Sequence, residues 1–234
     1  MSVFGLWARR CNRRLLGILT VMVAAEIGLF YRAMVRAPGG NLERIMTESG
    51  VSLAAWVAFA ALNAALLAVG RDRQVRSGYT LRRLGVTAGR GFFLRAAYNA
   101  LCCFILWGVQ LAAALGLCLL WKRANPTLWE NQTVLLAFYR VPFLHGLLPL
   151  GDWYIYPRNA LWLAVMGCVT AHETASPFLL SLFLLTTGIY FPRNMGDGVG
   201  FVIFLSAGAL LILIGAYARY RKEGKEAEND GEPA

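Results

Sequence analysis

Long apolar runs separated by short basic stretches set the pattern of this chain. Residues 15–31 (LLGILTVMVAAEIGLFY), 51–69, 99–121 and 198–218 are each long enough to cross the bilayer as a helix. Crossing ~30 Å of hydrocarbon takes about 20 residues at 1.5 Å per residue. Two shorter runs, 159–172 and 177–191, flank His172-Glu173-Thr174-Ala175-Ser176-Pro177, which reads as a tight turn between paired helices. The pattern therefore predicts an all-α polytopic bundle of six spans. Between the third and fourth lies 132–150 (QTVLLAFYRVPFLHGLLPL), apolar but interrupted by Arg140, Pro142, His145 and Pro149. A lipid-exposed span there would bury a charge and break its own hydrogen-bond ladder. An interfacial or re-entrant segment on the outer side is expected instead.

Composition agrees with a membrane chain. Of 234 residues, 58% are hydrophobic and 15% charged, against about 45–50% and 25% in soluble domains. The net charge of +10 would suit nucleic acid, but the positive charges fall mainly between the apolar runs, where loops meet anionic lipid, so no nucleic-acid partner is expected. Fifteen Lys and Arg lie on one side of the six spans, seven of them in the 70–98 loop, and eight lie on the other. The richer side is cytoplasmic, which puts both termini inside. The start, MSVFGLWARRCNRR, predicts an amphipathic interfacial helix over 1–14. One transmembrane domain, 1–222, is followed by a polar tail at 223–234 that is expected to be disordered. Cys11, Cys102, Cys103, Cys118 and Cys168 form no CxxC pair and read as small packing residues.

Helices in lipid approach closely where small residues share a face. Ala54, Ala58, Ala61 and Ala65 form such a stripe in the second span, and Gly108, Ala112 and Gly116 another in the third. Glu26 is the one acid well inside a span, about 16 Å beyond Leu15. Gln110 reaches a similar depth on another rising helix, so both are candidates for a substrate path. Asn63 reads as helix–helix glue. No catalytic or metal-binding constellation is visible. The chain lacks a GxxxxGK[ST] loop, HExxH, a GxSxG elbow and paired buried acids, so neither an enzyme nor a bound cofactor is expected. Asn131-Gln132-Thr133 matches a glycosylation acceptor, but nothing else suggests a eukaryotic secretory setting.

The loop before the third span contains Tyr79-Thr80-Leu81-Arg82-Arg83-Leu84-Gly85-Val86-Thr87. A helical turn over 80–84 would place Leu81 and Leu84 on one face, with Gly85 ending it and Thr87 capping the next helix. That is the form of a docking element for a cytosolic partner. The phrase resembles the coupling-helix region of type-2 ABC transporter permeases, with Gly85 in place of the usual proline and with Gly89 and Gly91 weakening the next helix start. The resemblance implies a bacterial plasma-membrane subunit that pairs with a second permease chain, docks a cytosolic ABC ATPase and exports a substrate. The alternative is a non-transporting accessory or sensor subunit. Reporter fusions after Tyr31, Arg71, Trp121 and Lys222 should read outside, inside, outside and inside; a periplasmic signal at Arg71 reverses the orientation.

Overall fold

The computed structural model describes residues 3–83, 88–126 and 133–171, with Ile214 and Ala218 as single helical positions. Side chains are described from Cys11 to Ala68 and, within those ranges, from Gly91 onward. The expected spans 177–191 and 198–218 and the loop residues Leu84, Gly85, Val86 and Thr87 lie outside the described residues, as does the 223–234 tail. Seven helices and no strand occur among the described residues: α1 (Val3–Arg36), α2 (Leu42–Glu48), α3 (Val51–Arg83), α4 (Ala88–Ala124), α5 (Thr133–Arg140), α6 (Pro142–Leu147) and α7 (Ile155–Ala171).

Three of them are long and apolar enough to cross a membrane, within Cys11–Arg36, Val51–Ala68 and Gly91–Ala124. Each helix outruns its apolar segment. The basic stretch at 3–14 continues into the first span as one helix, so no separate interfacial helix precedes it. Arginine and leucine favour helix, and no proline interrupts α1. Likewise 70–83 extend α3 and 88–98 begin α4, so most of the expected 70–98 loop is helical. Thr80, Leu81, Arg82 and Arg83 form the end of α3 rather than a separate turn.

The 132–150 segment breaks where its sequence is interrupted. α5 and α6 hold 8 and 6 residues, with Val141 extended between them and Pro142 starting α6. Neither can cross a bilayer. Arg140, at the break, stays exposed and lies 3.4 Å from Glu43 of α2. At the other end of α2, Gly50 takes φ +79, the left-handed geometry that lets the chain reverse into α3.

The helices pack around two apolar clusters stacked along the bundle. One joins Leu15, Leu19 and Met22 of α1 to Leu62 and Leu66 of α3, Cys103 and Leu106 of α4, and Trp162 and Met166 of α7. The second joins Phe30, α2, Val51 and Ala55 to Ala114, Leu117 and Trp121 of α4 and to α5 and α6. Trp107 touches both. Within the first cluster, Phe59 and Trp162 stack with ring centroids 4.6 Å apart.

α7 lies antiparallel along α4. Asn99 Nδ2 donates to Thr170 Oγ1 at 3.0 Å, and one residue further on Ala100 meets Gly167. A Cβ at Gly167 would stand 2.6 Å from the Ala100 backbone nitrogen, so only glycine permits this approach. Gly28, by contrast, has nothing within 4 Å of its Cβ position. Gly167→Leu should lower the melting temperature in detergent by about 5 °C or more, since overpacking costs about 1–3 kcal/mol and 1 kcal/mol shifts a chain of this size by about 2–4 °C. Gly28→Ala should leave it unchanged. Equal melting of the two variants would mean that the α4–α7 contact is not close.

Candidate functional site

Between the two apolar clusters the bundle holds buried polar groups. Glu26 lies on α1 between Met22 of the first cluster and Phe30 of the second; Gln110 lies on α4 between Leu106 and Ala114. Their common level follows from how α1 and α4 run. Tyr98 Oη donates to Asn12 Oδ1 at 3.0 Å near one end, and Trp121 Nε1 donates to the Gly40 carbonyl at 3.2 Å near the other. Both partners advance together, so the helices are parallel. The sequence offset is 86 at the first contact and 81 at the second. Glu26 and Gln110, with an intermediate offset, meet between them.

The pair is sealed. Glu26 is 0% and Gln110 3% exposed. The Gln110 side chain is the polar neighbour that acts on the Glu26 carboxyl. Yet both carboxyl oxygens and both polar atoms of the amide lack a well-formed hydrogen bond. Buried polar atoms are nearly always satisfied, because leaving one unpaired costs about 1–3 kcal/mol. Four such atoms at one point mark a place where the fold gives up stability.

A third buried group sits at this level. Continuing the α4–α7 register by equal rise brings Arg158 to about the height of Gln110. Arg158 is 5% exposed, and its Nε and Nη1 have no partner; Nη2 reaches Asn159 Oδ1 at 3.4 Å. No ion pair links it to Glu26, whose oxygens are unpartnered. Asn159 in turn donates to the Gly146 carbonyl at 2.8 Å, tying the start of α7 to the end of α6. The sequence places Arg158 among the charges flanking the outer side; its burial is a tertiary effect that an arginine beside Pro157, ahead of an apolar run, does not signal.

Asn63 is fully buried and donates through Nδ2 to the Phe59 carbonyl of its own helix at 2.8 Å, with Oδ1 unpaired. Its bond is intrahelical, so the expected role between helices is not what the contact performs. The small-residue stripes also divide. On α3, Ala58 is buried, Ala54 and Ala65 are half-buried and Ala61 is exposed, while Ala55, Phe59, Leu62 and Leu66 carry the packing. On α4, Gly108, Ala112 and Gly116 all face outward, with nothing within 4 Å of a Cβ at either glycine. Neither glycine of that stripe meets another helix within the described bundle. Tyr79 to Arg83 belong to the last turns of α3. His145 Nε2 lies 3.1 Å from Asp152 Oδ2. Among the described residues no group of His, Cys, Asp and Glu could hold a metal ion.

No family model, no curated protein and no solved structure matches the chain.

The two unpaired nitrogens of Arg158 give a direct test. Replacing buried charge by apolar side chains of similar volume is neutral or stabilising by about 1–4 kcal/mol. Arg158→Met should therefore melt at the same temperature as the parent or higher in a thermal scan. A clear fall would mean that the guanidinium makes a stabilising contact.

Proposed function

We propose that this chain is the membrane-spanning permease subunit of an ABC transporter, with ATP hydrolysed by a separate cytosolic subunit. The observation that carries the reading is the Tyr79–Thr87 phrase and its position between two long helices. Helix α3 runs 14 residues past the 51–69 apolar run, about 21 Å, to Arg83 within the phrase, and α4 takes up the chain at Ala88. A two-helix projection of this kind holds its tip clear of the bilayer, where a cytosolic ATPase can bind. Six spans with both termini inside complete the layout, α7 and the two later apolar runs supplying the second three. With 17 residues, about 25 Å, α7 is at the short end for a crossing.

Two further features fit the reading. The outward stripe Gly108-Ala112-Gly116 offers a close-packing face to a second permease chain, since lipid gives helices no hydrophobic drive and small residues let backbones approach. Glu26 and Gln110, buried where the two apolar clusters meet, would line a substrate path that is closed in this conformation. The same seal favours the second reading, a non-transporting accessory or sensor subunit of the membrane. Export is what the family resemblance implies; the substrate has no signature on the chain.

The docking loop separates the two readings. A docking helix seated in an ATPase groove buries its apolar anchors, and one leucine is worth about 1.5–3 kcal/mol. A carboxylate in its place would be desolvated without a partner, at a similar further cost. Leu84→Asp should therefore weaken capture of an ABC-type ATPase at least about 100-fold, at 1.4 kcal/mol per tenfold, while the protein still inserts. Arg82→Glu with Arg83→Glu should do less, because exposed ion pairs contribute about 0–1 kcal/mol each. Pull-down and ATP hydrolysis in the reconstituted complex are the measurements. Unchanged binding and coupling in Leu84→Asp would leave the loop a basic connector and favour the accessory subunit.

A further inference from the structure

We infer that Glu26 is a proton-exchange site inside the membrane, with Gln110 as the partner that serves both its protonated and its ionised form. The inference stands apart from ATPase docking and rests on the seam between the two apolar clusters.

The carboxyl is completely buried, both oxygens are unpaired, and no acid or base among the described residues acts on it. Gln110 is the polar group that α4 turns toward it. From α3 come apolar Ala55, Ala58, Phe59 and Leu62, members of the clusters on either side. Arg158 of α7, buried at about the same level, makes no ion pair with it, and the charges of α2 are engaged elsewhere, Arg44 with Glu48 at 2.9 Å and Glu43 with Arg140. A bare carboxylate in that setting would be desolvated without compensation, which costs several kcal/mol. The described conformation therefore suits the neutral acid.

A neutral acid offers one O–H donor and one carbonyl acceptor, and a carboxylate only acceptors. Gln110 supplies a carbonyl oxygen for the O–H and an NH₂ for the carboxylate. A half-turn of the amide about its last torsion exchanges the two. An apolar residue could serve neither form, and a basic one would hold the acid permanently ionised. Four atoms of this pair lack a well-formed hydrogen bond, so neither pattern is completed in this conformation. The exchange itself is the loss of the carboxyl proton to water, leaving a carboxylate, and its return. Because Glu26 is sealed, that exchange must accompany an opening of the α1–α4 seam to water. A proton is the ligand for which such a site needs no volume of its own. A metal ion would need more oxygen ligands than the three oxygens of this pair.

Dicyclohexylcarbodiimide, an apolar reagent that partitions into membranes, tests the assignment. It reacts with the protonated acid: the carboxyl oxygen bonds to the carbodiimide carbon, the acid proton passes to nitrogen, and the adduct rearranges to a stable N-acylurea with no leaving group. Purified full-length protein in lipid nanodiscs is treated over a pH series and the labelled peptide is quantified by mass spectrometry. Glu26 should be labelled at acidic pH, and labelling should fall at least tenfold as pH rises. A water-soluble carbodiimide should label exposed Glu48 and spare Glu26. Glu26→Gln, checked for a monodisperse elution profile and unchanged helicity, should lose the label. On the wild-type protein alone, the infrared carbonyl band of a buried carboxylic acid should bleach over the same pH range. Labelling that does not vary with pH would make Glu26 a fixed structural acid, and no labelling at any pH would make it ionised throughout; either result overturns the inference. Neither result bears on the Leu84→Asp experiment, which reads a different part of the chain.

Discussion

In lipid, helices gain nothing from leaving water, so the bundle rests on how closely its backbones can approach. Among the described glycines Gly167 makes the tightest such approach, against Ala100, and α4 carries it. α7 lies along the first half of α4 on one side, α1 runs parallel to it on another, and α5 and α6 pack against its second half. The contacts then follow from α4's own sequence. Tyr98, Asn99 and Ala100 fix the helix at one end, Trp121 fixes it at the other, and Gln110 lies between.

That arrangement explains why polar groups gather where the two clusters meet. Each cluster closes on itself with aliphatic and aromatic side chains, and Trp107 bridges them. Glu26, Gln110 and Arg158 occupy the level between, with six side-chain atoms unpaired across the three. Buried polar atoms without hydrogen bonds make this level contribute less to stability than the apolar packing on either side of it. Local opening is therefore cheapest where the ionisable groups are.

Much of this was legible in the sequence, and the remainder failed for definite reasons. Counting 1.5 Å per residue places Glu26 and Gln110 at one depth because α1 and α4 are regular helices running in the same direction. The break at Val141-Pro142 is local chemistry and is visible in the residues themselves. Helix continuity through 70–83 was not legible: Gly70, Gly78 and the arginines suggest a loop, yet arginine is a good helix former and an isolated glycine costs only about 1 kcal/mol. The α4–α7 register was hidden because Gly167 is one of several glycines in apolar runs, and only the approach of Ala100 distinguishes it. Gly108, Ala112 and Gly116 show the converse. Their spacing marks a packing face, but spacing does not say whether the neighbour belongs to the same chain.

The excess length of α3 and α4 has a mechanical consequence. From Ala100, where α7 clamps α4, back to Ala88 is 12 residues of unbroken helix, a lever of about 18 Å. A tilt of about 10° there would sweep the far end through about 3 Å. Small angular play at the clamp is thus amplified into a displacement at the tip. Run in reverse, a modest force on the tip acts with a moment arm on the α4–α7 contact, 10 residues from the level where Glu26 is sealed.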